Sequence, residues 1–518
     1  MQLLPLLFLI PSALGLAFPG AEGFGRNAIG GRKGSVYVVT NLNDSGAGSL
    51  RDAVSQTDRI VVFVVGGVIK ITERMVVSKR ITILGQTAPG DGITVYGNGW
   101  SFSNADDAIV RYIRIRMGKG GTSGKDAITI AEGSNMIFDH VSVTWGRDET
   151  FSISGSKVGN ITVQNSIIGQ GLETHSCGGL MQTALGNGIS LFRNLYIDNK
   201  TRNPKVKGTN DFTNNVVYNW GGGGGYIAGD SAGESNAHII GNYFISGPST
   251  SKTAFTRGNA EFKAYVEGNF YDSDKDGKLS GTELGVTSAN YGGVAIQTAK
   301  FGFPAPGKIL SAADALTYVM GKAGASLARD AVDKVLIAQV QSFGKTGATI
   351  SDEATMGGVG TIDGGAKRVD TDGDGIPDDV EAKMGFNAAL NDAMADKDGN
   401  GYTTRIKHVA KRSLVHGFAN PGRSADATAT KRGWRTKVLV YLMTIPSRVL
   451  KQIEYTDGVG YTTNRALVIK QSRALAAKEL QKQHRLNARN LQRTSTSGTK
   501  TLDDAEVGTS RRAPRGIS

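Results

Sequence analysis

Cysteine is all but missing from this 518-residue chain: Cys177 stands alone, so no disulfide can form within it, and a large apolar core must supply the stability. Proline is scarce, at 12 residues, while glycine reaches 71. That balance excludes a collagen or a proline-rich linker and favours many tight turns between short strands, hence an all-β body. Also missing is any apolar run long enough to span a bilayer, so no membrane association is expected. The one apolar opening, MQLLPLLFLIPSALGLA, is short and ends in small residues, as a cleavable secretory leader does. It predicts a signal peptide over 1–17, cleavage after Ala17 and a secreted, extracellular product.

The net charge of +13 points to a polyanion such as nucleic acid until its position is considered. Residues 405–518 hold 23 Lys and Arg against 7 Asp and Glu, which leaves 36 basic and 39 acidic residues before them. The body is near neutral, nucleic acid is not expected as a partner, and any preference for a polyanion must come from a local groove.

From about residue 58 the chain runs through short β-branched segments, among them RIVVFVV, RITILG, NITVQNSIIG and DFTNNVVYNW, separated by turn residues. Aligning the polar residue that opens each apolar stretch gives His140, Asn165, Asn194, Asn215, Asn242 and Asn269, at intervals of 25, 29, 21, 27 and 27. A period of that size indicates a solenoid, in which one coil cannot bury its apolar side chains until its neighbours stack on it. Asn at the same corner of successive coils would form a ladder. A β-sandwich is the competing architecture, but it does not require the recurring corner. Residues 306–350 show helical spacing with Ser311 as N-cap, predicting a helical pair packed on the solenoid.

Three groups of residues carry chemistry. Asp139 and Asp148 sit where strands meet loops, and carboxylates gathered there would suit a hard cation; turn-forming Asp is the plainer alternative. NKTRNPKVKG crowds Arg202, Lys205 and Lys207 around Pro204, whose ring stiffens the segment. DSDKDGKLSGTE fits the twelve-residue EF-hand loop, with Asp272, Asp274, Asp276, the Lys278 carbonyl, Ser280 and Glu283 as calcium ligands and Gly277 at the turn. Its flanks are not amphipathic helices, so it reads as a structural loop rather than a sensor. DTDGDGIPDDVE repeats the spacing with Asp370, Asp372, Asp374, Asp378 and Glu381. A third copy, DKDGNGYTTRIK, puts Lys407 where the bidentate acid belongs.

Taken together, AFPGAEGFG, LNDSGAGSLRDAV, IFDH at 137–140 and RNPKVKG make residues 18–403 resemble the pectate lyase superfamily, closest to fungal members with an EF-hand insert. The resemblance implies a right-handed parallel β-helix of the pectin lyase-like fold, calcium as cofactor, polygalacturonate as substrate and a monomer. It implies Asp139 and Asp148 as calcium ligands and Arg202 as the base that removes the C5 proton. Lys207 stands in place of a second Arg, and Lys205 and Lys207 bind substrate. Ser152 replaces a second Asp, so Glu149 or Asp126 is expected to complete the site. A substrate-binding Lys has no match near HSCGGLM, where His175 is the stand-in.

The division that follows is a signal peptide over 1–17, a catalytic β-helix over 18–300, a helical and calcium-loop extension over 301–404, and a basic tail over 405–518. The tail reads as disordered or as an artefact of the gene model. A genuine tail that holds the enzyme on acidic pectin is the alternative. Asn43, Asn160 and Asn199 lie in glycosylation sequons. The rival readings are a calcium-independent pectin lyase, whose cleft would need aromatic residues such as Trp145 and Trp220, and a non-catalytic β-helix that binds polysaccharide.

Overall fold

A computed structural model of the chain describes residues 15–384 and 386–395. Residues 1–14 of the expected leader, the third loop copy at 396–407 and the basic tail lie outside the described residues.

The β-branched runs become strands that stack in parallel, each paired with its counterpart one coil away. Ser35–Val39 pairs with Arg59–Phe63, which pairs with Ile81–Leu84, then Ile109–Arg111, and the series continues through Gly188–Phe192, Thr209–Thr213, Ser235–Ile240 and Phe262–Glu267. A second face forms the same way from Gly67–Lys70 to Phe270–Asp272, nine parallel strands that Thr282–Glu283 extends to a sheet of 10. The third face shares two long strands with the first. Ile128–Asp139 and Phe151–Gln164 turn a corner, so that Ile128 lies beside Trp100 at one end while Ile137 lies beside Ile109 at the other. Three faces wound in parallel make a β-solenoid, as the period predicted. Among the described residues one pairing is antiparallel, where Thr282–Glu283 folds back on Phe270–Asp272 and ends the ten-stranded face.

Inside the coils the apolar side chains form columns. Trp100, Phe102, Phe138 and Phe151 follow one another at ring separations of 5.8, 4.9 and 5.0 Å. All four are at most 2 % exposed. Outside, the AFPGAEGFG segment is laid across the first face: Phe18 clusters with Ile109 and Ile137, and the Gly25 N–H donates to Thr162 Oγ1 at 2.8 Å. A Cβ on Gly25 would fall 2.0 Å from the Met136 carbonyl oxygen, so only glycine permits this approach.

The polar corner is a ladder, but it is entered one residue later in two of its coils than the sequence alignment sets it. Ser166 N–H donates to Asn194 Oδ1 at 2.9 Å, Asn194 N–H to Asn215 Oδ1 at 2.9 Å, Asn215 N–H to Asn242 Oδ1 at 2.7 Å and Asn242 N–H to Asn269 Oδ1 at 3.0 Å. His140 and Asn165 occupy the preceding position, with left-handed φ of 56° and 53°, as do Arg193, Asn214, Gly241 and Gly268 in later coils. Asn suits both sites, as a ladder member and as a tolerant left-handed residue, and that ambiguity caused the slip.

The helical pair is present. α1 (Leu50–Val54) is a single turn, whereas α2 (Ala312–Lys322) and α3 (Ala331–Gln341) cover the ten-stranded face. Ser311 caps α2, its Oγ accepting the Asp314 N–H at 3.1 Å. Ala312, Leu316 and Val319 of α2, with Leu336 and Val340 of α3, share a cluster with Ile167, Leu195, Val216 and Ile245 of the sheet. A fully buried charge network locks this layer. Arg116 Nη2 lies 2.7 Å from Asp330 and 2.9 Å from Asp333, whose other oxygen accepts Ser142 Oγ at 2.6 Å. Arg116, Asp330 and Asp333 are tolerated there because each is both paired and hydrogen-bonded.

Two expectations about stability follow. Asn242 uses both lone pairs and both amide hydrogens, since its Nδ2 also donates to the Phe212 carbonyl at 2.9 Å and to Asn269 Oδ1 at 2.8 Å. Asn242→Leu leaves at least two buried groups unpaired and is expected to cost about 2–5 kcal/mol in chemical denaturation; a loss under about 1 kcal/mol would mean the ladder is not structural.

Asp198, fully buried at a neighbouring corner, is pushed up to about 7 by burial, partly offset by Asn219, the Ala348 amide and Gln170. Its native state holds the proton more tightly than the unfolded chain. The resulting stability is complete below the ordinary value of 3.8 and is lost as pH rises to about 7. The slope is at most about 1.4 kcal/mol per pH unit. Denaturation of Asp198→Asn at pH 5 and pH 8 should show a smaller fall than the parent; parallel curves would refute the assignment.

Candidate active site

The coil stacking brings one set of sequence-predicted residues together. Glu149, Cys177 and Thr201 bridge in parallel across three successive coils, so they stand in one column on the outside of the solenoid. Arg202 follows Thr201 directly, with a left-handed φ of 57° that turns its side chain back along the column. The neighbouring coil makes room: a Cβ on Gly178 would meet the Arg202 carbonyl oxygen at 2.5 Å. Arg202 Nη1 donates to Glu149 Oε1 in a close ion pair.

Around that pair lie the acids. Asp126 Oδ1 accepts the Glu149 N–H at 3.2 Å, and its Oδ2 accepts Thr129 Oγ1 at 2.6 Å. Asp148, Glu149 and Cys177 offer ligand atoms within 4.8 Å of one another. His175, exposed, places Nδ1 3.5 Å from Asp148 Oδ1. Ser152 is buried, its hydroxyl donating to the Leu180 carbonyl at 3.4 Å. Arg74, which sequence reading passed over, donates to the Asp126 carbonyl at 3.0 Å and to Thr129 Oγ1 at 2.6 Å. A lone Arg in the TERMVV run carries no local pattern that would have singled it out.

Lys205 and Lys207 alternate with buried Val206 on the strand Lys205–Lys207, so both face outward on the side of Arg202. Both turn toward one loop. Lys205 Nζ lies 3.1 Å from Asp230, which Arg257 shares at 3.0 Å, and Lys207 Nζ donates to the Ala232 carbonyl at 2.5 Å.

The electrostatics are those of too many acids for one cation. Burial, then the charge of Asp126, pushes the Glu149 carboxyl up to about 7 against the opposing pull of Arg202. Burial pushes the Cys177 thiol up to about 12, so it stays protonated and is no ligand for a hard cation. For Arg202, burial works against the charge, but Cys177, at the high pH where it ionises, and Glu149 outweigh it and hold the guanidinium above its ordinary value.

No family model matches the chain. A curated relative from Aspergillus fumigatus named probable pectate lyase C is 75% identical over 388 residues, spanning 75% of this chain and 91% of the relative. One of the same name from Aspergillus flavus is 72% identical over 400 residues, spanning 77% and 94%. The chain belongs to the pectate lyase family. Among solved structures, a pectate lyase bound to a hexasaccharide is similar at 17% identity and a TM-score of 0.46, covering 61% of this chain and 99% of that one. The major allergen from cedar pollen, jun a 1, is similar at 19% identity and a TM-score of 0.40, covering 59% and 92%.

Several assignments made from the sequence are corrected by the structure. Asp139 is not with Asp148: it ends the strand whose beginning adjoins Asp126, and it is 1 % exposed. All its acceptor capacity is spent, on Arg111 at 2.7 Å, Gln164 at 2.9 Å and Asn165 at 2.8 Å. Asn199 cannot carry a glycan in the folded chain, being fully buried with Nδ2 donating to Asn203 Oδ1 at 2.9 Å. Asn43 is exposed and Asn160 half-buried.

In the first loop, Asp272 Oδ2 accepts the Ser280 N–H at 3.0 Å, Asp276 Oδ1 the Lys278 N–H at 2.7 Å and Asp274 Oδ2 the Ser280 hydroxyl at 2.6 Å. Glu283 sits in the antiparallel turn-back opposite Phe270. These acids do not form a group of the kind found at Asp148, Glu149 and Cys177. In the second loop Asp370, Asp372 and Asp374 do, and so do Asp374, Glu381 and Asp392. Asp378 does not take part; it accepts the Thr371 N–H at 2.8 Å and hydroxyl at 2.6 Å.

Removing the Asp139 charge tests this division of labour. Asp139→Asn leaves Arg111, itself 6 % exposed, without its acid and is expected to cost about 3–5 kcal/mol in thermal or chemical unfolding. Lyase activity per folded molecule should not change. A loss of activity at unchanged stability would return Asp139 to the site.

Proposed function

We infer that this family member acts as its relatives are named, as a secreted pectate lyase that cleaves polygalacturonate by β-elimination. The observation that carries the reading is the Arg202 guanidinium held among Glu149, Asp126 and Asp148 on the outer face of the coils, with Lys205 and Lys207 in the same row. In the reaction a base removes the proton from C5 beside the uronate carboxylate, the C4–O bond breaks, and a C4–C5 double bond forms. The departing oxygen takes a proton from solvent.

Arg202 is the base in this scheme, and it must be neutral to accept the proton. While Glu149 holds it the charge is favoured, so the base depends on Glu149 being engaged elsewhere. The donor set fits calcium: three carboxylates, one of them buried with its charge under-compensated, beside a thiol that stays protonated. Asp126, Asp148 and Glu149 would hold the ion, whose positive charge would draw electron density from a bound uronate and compete with Arg202 for Glu149. His175 at the rim and the two lysines orient the acidic polymer, after exchanging their contacts with Asp148 and with the Asp230–Ala232 loop. An alkaline optimum follows from an arginine base.

The described residues of the 301–404 extension belong to this reading as a support layer. The pectin lyase alternative loses its aromatic residues: Trp145 and Trp220 are both fully buried in the solenoid.

The assay is ultraviolet absorbance of the unsaturated product from polygalacturonate, with calcium and then with chelator. Growth should require calcium and fall about a thousandfold in Arg202→Ala at an unchanged melting temperature. Growth that survives chelation, or an Arg202→Ala variant keeping a tenth of the activity or more, would sink this mechanism.

A further inference from the structure

The second acidic loop leads into α4 (Asp378–Met384) and differs from its motif in an informative way. Asp378, at the ninth position, is turned away onto Thr371. Glu381, at the twelfth, is fully buried, and neither of its carboxylate oxygens has a hydrogen-bond partner. A carboxylate taken out of water in that state costs several kcal/mol unless it is protonated or bound by a cation. Glu381 is aimed at Asp374 and Asp392, the three offering oxygens within 4.8 Å of one another, and Asp374 belongs equally to the trio with Asp370 and Asp372. The loop is already bent for the purpose. Gly373 and Gly375 have φ of 70° and 83°, and the Asp392 N–H donates to Asp374 Oδ2 at 3.3 Å.

We propose that Asp370, Asp372, Asp374, Glu381 and Asp392 form a structural calcium site in which Asp392, eleven residues beyond the motif's last acid, takes the place of Asp378. An all-oxygen set of this size suits calcium over softer metals. The site is separate from the catalytic column and does not depend on it. Its role is set by what surrounds Asp392. Ala393 and Ile376 pack with Val36, and Met394 packs with Val36, Val38, Ile60, Val62 and Leu84. Those residues lie on the first coils, where Ser35–Val39 pairs on one side only among the described residues. An ion that joins Asp392 to the loop therefore straps residues 386–395 across the outer face of the first three coils and holds their strands together from outside.

The test uses the full chain, stripped with chelator, and follows hydrogen–deuterium exchange of peptides spanning 370–395 as calcium is added. Protection should rise with calcium in the parent. Asp392→Asn and Glu381→Gln should each raise the calcium midpoint by about tenfold or more. Asp378→Asn should move it by less than about twofold, and lyase activity at saturating calcium should persist in all three. The idea fails if the parent shows no calcium-dependent protection of this segment, or if Asp378→Asn moves the midpoint as far as Asp392→Asn. Asp378 is partly exposed, so its variant reports even if a buried substitution prevents folding.

Discussion

A coil of this solenoid has no hydrogen-bond partners of its own. Its amides and carbonyls point along the stack, so each coil is satisfied only by the next, at the spacing of neighbouring strands, about 4.8 Å. Everything else follows from that dependence. The corners, where strand pairing stops, need side chains to continue the connection, and Asn194, Asn215, Asn242 and Asn269 do so with both ends of their amides. The same spacing turns positions about one coil apart in sequence into neighbours in space. Glu149, Cys177 and the Thr201–Arg202 pair form a column for that reason, with no local motif to bring them together.

The column also explains why two kinds of arginine–carboxylate pair in this molecule behave differently. Arg116 is fully buried with Asp330 and Asp333, and further donors such as Ser142 engage the remaining oxygens, so both acids are held in place. Arg202 is partly open to solvent and faces more acid than it can neutralise, which leaves Glu149 with a raised carboxyl. Acids buried and hydrogen-bonded on several sides resist change and hold the α3 layer in place. An unmatched, half-open pair is poised to exchange partners, and that is what binding an acidic polymer and a cation requires.

Much of the fold was legible in the sequence because its signals are repeated. A coil period near 27 residues, Asn at the corners, β-branched runs and the capped helix after Ser311 are each over-determined. The site was harder, since its logic is the coil period rather than the motif. Asp139 and Asp148 are nine residues apart and look like partners, yet a twelve-residue strand carries Asp139 to another corner. Asp126 is 23 residues before Glu149, one coil away, and stands beside it. Asn199 fits a glycosylation sequon, but the sequon is blind to the interior in which the corner places its amide. Asp392 carried no signal at all, because its relation to Asp374 exists only after residues 386–395 fold back on the first coils.

The two acidic loops lie at the two places where stacking runs out. One tips the antiparallel turn-back of Phe270–Asp272 and Thr282–Glu283, where the ten-stranded face ends. The other sits beside Val36, where the first coil begins. Interior coils need no such device, because each has a neighbour above and below to satisfy its backbone and cover its apolar side chains. A terminal coil has one neighbour only, and it must draw the missing stabilisation from something that is not another coil. A loop of carboxylates that gains its free energy from a cation is suited to that position: its stabilisation is local, independent of the stack, and present only when the chain has folded far enough to bring Asp374, Glu381 and Asp392 together.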